Sequence, residues 1–198
     1  MDMDTEIEIT KLGEYGYIQS LYGLGLSYGI TSNIPFDKFP ESAAFSKLEK
    51  VAESLVKKPI NSGEAKFLEH IQVWLLIRAP RNLWQQFDTY RISMSKQSES
   101  TMHTLMKREA FKNSDFFGDI DDAIILRLNE IISTRNFKKT ADNLPESFAQ
   151  SRQICTNYKT LRNIFNQRQH HRREQWGIFC DWMLKNLEHQ NFIMVDKR

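Results

Sequence analysis

The chain has 198 residues, 40% of them hydrophobic, enough to bury the core of one compact domain and too few for two ordinary ones. Its 27 Lys and Arg nearly cancel 25 Asp and Glu, leaving a formal net charge of +2, so composition gives no general attraction to nucleic acid or to an anionic membrane and any basic function must be local. The longest purely apolar run, Val73 to Ile77, stops at Arg78, far short of the roughly 18 residues that a membrane-spanning helix needs.

The opening Met1-Asp2-Met3-Asp4-Thr5-Glu6 is acidic, whereas a secretory leader starts basic and continues apolar, so export is not expected. Glu6 to Thr10 alternates charged and apolar residues and predicts a strand, and the aromatic and glycine-rich stretch from Tyr17 to Tyr28 predicts short extended segments with turns. From Glu41 to Lys58 the apolar residues Phe45, Leu48, Val51, Ala52, Leu55 and Val56 recur at helical spacing, with Pro59 as the stop. His70 to Arg78 changes period: Ile71, Val73, Leu75 and Ile77 make one apolar face of a strand, with His70, Gln72 and Arg78 on the other. Pro80 then suits the first turn of a helix carrying Leu83, Phe87 and Tyr90 to Arg91.

Ser93 to Thr101 has the composition of an ordered polar loop. Asp121 to Ile132 predicts a helix with Asp121 and Asp122 in its first turn and Ile124, Ile125, Leu128, Ile131 and Ile132 inward. After Leu144-Pro145 come a short strand at Arg152 to Thr156, a helix with Leu161, Ile164 and Phe165, and a last helix with Trp176, Phe179, Cys180, Met183, Leu184 and Leu187. The pattern is α+β, or mixed α/β, in a single domain over residues 1–198.

Few residues carry recognisable chemistry. Cys155 and Cys180 form no Cys-x-x-Cys pair or disulfide framework, which fits a reducing cytoplasm. His170 and His171 are adjacent, and neighbouring helical residues point about 100° apart, so they do not share a metal and no metal site is expected. No Gly-x-Ser-x-Gly elbow, phosphate-binding Gly-rich loop or dinucleotide fingerprint occurs. What remains is a polar set of Gln86, Arg91, Ser95, Gln97 and Ser100 together with Asn157, Asn163 and Arg168, amides and guanidinium groups suited to an anionic, hydrogen-bonding ligand such as a nucleotide, or equally to a solvated helix face.

The ordered string Glu69-His70-Ile71-Gln72-Val73-Trp74-Leu75-Leu76-Ile77-Arg78-Ala79-Pro80, continuing through Gln86 to Thr89-Tyr90-Arg91, resembles the flavin-dependent thymidylate synthases, in which Glu-His and a strand lead through a helical Gln to Arg-His-Arg. Ser95 to His103 resembles the family's Ser-x-Asn-Glu-x-Ser-x-Arg-Tyr loop with one residue inserted. A second match covers Leu144-Pro145, then Asn157 to Arg168 and Glu174-Gln175-Trp176, similar to the family's Asn-Ala-Arg-x-Leu helix, pyrimidine-facing Arg and Ala-Gln-Trp-Glu-Ile segment.

The resemblance implies a central mixed or antiparallel sheet flanked by helices, a homotetramer with sites completed between subunits, FAD as cofactor, and NADPH and methylenetetrahydrofolate as co-substrates. It implies transfer of a one-carbon unit to carbon 5 of a deoxypyrimidine monophosphate, dUMP or a relative such as dCMP, without a cysteine nucleophile. Residue by residue, it puts His70, Arg91, Gln97, Asn157 and Asn163 on the cofactor and Gln86, Ser100 and Arg168 on the nucleotide, with Arg168 stabilising negative charge on the ring. Thr89 and Tyr90 replace Arg and His of the signature, Met102-His103 replaces Arg-Tyr, and Lys159 replaces a flavin-side Arg. Arg172, Arg173, Lys96 and Lys139 are the cations available to compensate. The alternative is a non-catalytic homologue that keeps the oligomeric scaffold as a nucleotide- or protein-binding module.

Overall fold

The computed structural model describes residues 6–60 and 62–194; the acidic opening at residues 1–5 lies outside the described residues. In chain order the elements are β1 (Glu8–Tyr15), α1 (Tyr17–Ser27), α2 (Ala43–Leu55), β2 (Gln72–Pro80), α3 (Arg81–Phe87), β3 (Met94–Ser98), α4 (Thr101–Thr104), α5 (Asp122–Ser133), α6 (Phe137–Asp142), β4 (Ala149–Asn157), α7 (Tyr158–Arg168) and α8 (Glu174–Asn186). The strands form an antiparallel sheet in the order β1-β2-β4-β3, the α+β class expected from the sequence. No helix among the described residues is long and apolar enough to cross a membrane.

The chain divides into two compact units, and each strand contributes residues to both. The first holds the chain through Thr10, Leu76–Arg91 and Lys96–Ile154. Here Pro80 is the extended N-cap of α3, one position earlier than the first turn expected for it. The free N–H groups of Arg81 and Asn82 at this helix start are taken by the carbonyls of Phe148 and Glu146, each at 3.1 Å. On α5, Asp121 likewise stands outside the first turn as N-cap, accepting the Ala123 N–H at 2.8 Å. Its inward face, Ile125, Leu128 and Ile132, packs with Phe111, Phe116 and Phe148 into the core of this unit, whereas Ile124, expected inward, turns to solvent at 45% exposure because it falls outside that helical stripe.

The second unit holds Lys11–Leu75, Ile92–Ser95 and the chain from Cys155 onward. Tyr17 to Tyr28 is not extended as expected but forms α1. Its glycines misled the reading because Gly25 is there for packing: a Cβ at that position would stand 2.4 Å from Thr31 Cγ2 and 2.7 Å from Leu48 Cδ1 of α2. Ser93 to Thr101 also departs from expectation, since Met94–Ser98 is strand β3 and Thr101 opens α4. As an edge strand β3 is held through backbone bonds to one neighbour, so it needs no apolar alternation. Strand β4 is longer than the Arg152 to Thr156 expected, and β1 starts at Glu8 and runs past Thr10 to Tyr15.

Candidate functional site

The second unit contains an open cleft of about 590 Å³ built where three segments meet. Glu69, His70 and Gln72 come from the entry to β2, Ser93 and Ser95 from the start of β3, and Cys155 and Asn157 from the end of β4. A 3-10 turn over Gly63–Glu69 delivers the first segment, and the His70 N–H closes it on the Phe67 carbonyl at 3.1 Å, leaving the imidazole exposed. The second segment is pinned by hydroxyls: Thr156 Oγ1 donates to the Ser93 carbonyl at 3.0 Å and Thr160 Oγ1 to the Ile92 carbonyl at 3.3 Å, while Ser93 takes the left-handed φ of 55°. Asn157 ends β4 and caps α7, its Oδ1 accepting the Thr160 N–H at 3.0 Å.

Charge at the cleft edge is balanced within the chain, because Lys159 Nζ lies 2.6 Å from Glu69 Oε1. Gln72 Nε2 donates to the Glu69 carbonyl at 2.7 Å, and Cys155 Sγ sits 3.9 Å from Gln72 Oε1. Partial burial pushes the Cys155 thiol above its ordinary value, so it stands in the cleft as a neutral weak donor rather than a thiolate. This wall presents hydrogen-bonding groups and no thiolate.

Of the residues expected at a site, His70 and Asn157 are brought to this cleft, together with Ser95 of the polar set. Asn163 lies further along α7 and accepts from Gln167 Nε2 at 3.2 Å, within its own helix. Arg168 closes α7 with its guanidinium over the Trp176 ring, 4.8 Å from the centroid. Eleven residues of helical rise separate it from Asn157, about 16 Å, and Arg168 is not among the residues that line the cleft. Gln86, Arg91, Gln97 and Ser100 belong to the first unit: Gln86 is half-buried on α3, Arg91 and Gln97 are exposed, and Ser100 is the N-cap position of α4.

Of the cations available to compensate, Lys96 is already engaged. Lys96 lies 3.4 Å from Asp88 Oδ1 and donates to the Tyr90 carbonyl at 3.2 Å, and Arg152 makes a two-oxygen contact to the same Asp88 at 3.1 Å. His171 accepts the Arg173 N–H on Nδ1 at 3.1 Å, and desolvation followed by the charges of Arg168, Arg172 and Arg173 holds its pKa below the ordinary value. Glu69, Gln72, Ser93 and Cys155 were not among the expected site residues; the one available signal was Gln72 on the polar face of an otherwise apolar strand.

A second polar group shares no residue with the cleft lining: ligating atoms of Glu14, Glu188 and His189 fall within 4.8 Å of one another. Lys11 supplies the positive charge there, 3.5 Å from Glu14 and 3.2 Å from Glu188, and the Tyr158 hydroxyl donates to Glu14 while accepting the His189 N–H at 3.0 Å. Burial and then the Glu14 hydrogen bond push the Tyr158 pKa up, so this hydroxyl stays protonated and works as a structural donor.

No protein-family model and no curated protein sequence matches this chain. Solved structures do. Thymidylate Synthase X from Helicobacter pylori, with FAD and dUMP, superposes with a TM-score of 0.73 at 14% identity, covering 94% of this chain and 97% of that one. A second structure of the Helicobacter pylori enzyme, described as a flavin-dependent thymidylate synthase complexed with FAD and dUMP, gives the same values. The UMP/dUMP methylase PolB from Streptomyces cacaoi, bound with 5-Br dUMP, gives a TM-score of 0.62 at 12% identity over 90% of this chain and 88% of that one. The chain has the fold of the flavin-dependent thymidylate synthases.

Proposed function

We propose that the chain is a divergent flavin-dependent thymidylate synthase-like transferase that moves a one-carbon unit to carbon 5 of a deoxypyrimidine monophosphate, dUMP or a relative such as dCMP. The observation that carries this reading is the cleft holding His70 and Asn157 together, in a fold whose solved neighbours were determined with FAD and dUMP bound. The cleft's residues fit a flat, hydrogen-bonding ring: two side-chain amides, an exposed imidazole and two hydroxyls line it, with no unpaired carboxylate, since Glu69 is held by Lys159. When bound there, FAD supplies the redox chemistry of the transfer, with methylenetetrahydrofolate as carbon donor and NADPH as reductant.

His70, Asn157 and Asn163, with Arg91 and Gln97, are the proposed cofactor residues; Gln86, Ser100 and Arg168 are the proposed nucleotide residues. Arg168 would hold negative charge on the pyrimidine carbonyl as carbon 5 becomes nucleophilic. The separation of about 16 Å between Asn157 and Arg168 along α7 supports a homo-oligomer, a tetramer in our reading, in which one copy's Arg168 serves another copy's cleft. The protein would act in a reducing cytoplasm, with its two free cysteines uninvolved.

Loading the purified chain with FAD and recording its visible spectrum tests the first step, and carbon-5 alkylation of dUMP in the presence of the two co-substrates tests the second. A folded chain that rejects FAD overturns the reading. A non-catalytic, nucleotide- or protein-binding scaffold is the second reading, and the engagement of Lys96 by Asp88 favours it, because that cation is then withdrawn from phosphate binding. FAD binding without product would select it.

A further inference from the structure

The two side-chain amides on the cleft are each half committed inside the protein, and in opposite senses. Gln72 Nε2 faces the Glu69 carbonyl at 2.7 Å. A carbonyl oxygen accepts only from the nitrogen end of a carboxamide, so the orientation of Gln72 is fixed and Oε1 is the end left for a ligand. Its neighbour is the Cys155 thiol, a weak donor with Sγ 3.9 Å away. Asn157 is oriented the other way: capping α7 uses its Oδ1, which leaves Nδ2 as the end available to donate. Both residues line the same cleft.

A wall that offers one acceptor and one donor is complemented by an edge that presents one donor and one acceptor. The O=C–N–H edge of a cyclic imide or lactam does so, whereas an edge whose ring nitrogen carries an alkyl group or a lone pair leaves Gln72 Oε1 unpaired. We propose that Gln72, paired with Asn157, reads the imide edge of a flat heterocycle in this cleft and selects rings that carry an N–H over those that do not. The proposal rests on the cleft being a flavin or pyrimidine site, for the isoalloxazine and uracil rings both carry this imide. It adds a specificity role for Gln72, which lies within the matched Glu69 to Pro80 string and to which the resemblance assigns no role.

The test is a binding cycle on the full-length chain with four probes: FAD, N3-methyl FAD, dUMP and N3-methyl dUMP. Affinities are measured by calorimetry for the wild type and for Gln72→Leu, with circular dichroism as the folding control. For the ring that occupies the cleft, N3-methylation is expected to weaken wild-type binding by about tenfold, and the penalty should shrink to about twofold in Gln72→Leu. A penalty confined to the flavin pair or to the dUMP pair identifies which ring sits there. Gln72→Met, nearer in volume to glutamine, replaces Gln72→Leu if that variant does not fold. Equal binding of methylated and parent rings by the wild type overturns this inference alone and leaves the proposed function standing, as does a methylation penalty that persists undiminished in a folded Gln72 variant. A folded wild type that binds none of the four overturns the proposed function and this inference together.

Discussion

Arg168 and Trp176 form a stacked pair, the guanidinium 4.8 Å from the centre of a fully buried indole, at the end of α7 remote from Asn157. A guanidinium over an indole presents a planar fork of donors, which an ammonium cannot reproduce. Arg168→Lys should therefore keep the charge and lose the oriented donors, and Arg168→Ala should lose both. Turnover of the deoxypyrimidine nucleotide is expected to fall on the order of 100-fold to 1,000-fold in Arg168→Ala, the usual cost of removing one such donor. Wild-type affinity and turnover in a folded Arg168→Ala protein would leave Arg168 as a clamp on Trp176 and nothing more.

The imidazole of His189 stacks on Tyr17 with ring centroids 3.6 Å apart, and burial holds its pKa below the ordinary 6.5 although Glu14, Glu188 and Glu49 pull it up. Lys11 adds to the lowering. With a folded-state pKa depressed below the unfolded one, the unfolded chain takes up the proton first, so stability is fully present above about pH 6.5 and declines as pH falls through the folded value. His171 contributes with the same sign. Thermal melts between pH 8 and pH 5 (about neutral to mildly acid) should show this fall in the wild type and a smaller one in His189→Phe, which keeps the stack and cannot titrate. Identical pH profiles for the two proteins would assign the loss to other groups.

Arg162 on α7 is 4% exposed, donates from Nη2 to the Lys58 carbonyl at 3.1 Å, and finds no acceptor for Nε or Nη1 among the described residues. Burial lowers its pKa accordingly. A buried guanidinium satisfied at one of its three nitrogens is a net cost, and an apolar side chain of similar length removes it. Arg162→Met should stabilise the fold by about 1–3 kcal/mol, read as a rise of roughly 2–4 °C in Tm for each kcal/mol. A drop in Tm would show instead that Arg162 has an anionic partner in solution.

Neither cysteine should be needed for chemistry. Burial pushes the Cys180 thiol up to about 12, and Cys155 is raised for the same reason, so neither is a thiolate at neutral pH. Cys155→Ser is expected to retain flavin loading and turnover. Cys180→Ser puts a hydroxyl at a buried position and should cost about 1–3 kcal/mol of stability, measured by denaturant unfolding, with activity per folded molecule unchanged. Loss of turnover in folded Cys155→Ser would call for a thiol mechanism.

Periodicity alone determined the elements whose side chains do the packing. The apolar repeat over α2, α5, α7 and α8 and the alternation along β2 are written in residue type, because each of these elements buries one face and only one spacing achieves that. The start of α5 is legible for the same local reason, since Asp121 caps the helix from one position before the first turn expected for it and a cap acts within three residues of itself. Where a long-range partner decided the outcome, residue type misled or was silent. Gly25 looks like a turn and is a helix contact because Thr31 and Leu48 stand where its Cβ would be. Met94–Ser98 looks like a loop and is a strand because a neighbouring backbone, not its side chains, holds it. The cleft belongs to this second kind: Gln72, Ser93 and the Cys155 to Asn157 segment are far apart in sequence and meet through strand pairing, and which end of each amide stays uncommitted is set by a carbonyl and an N–H that only the folded chain puts in place.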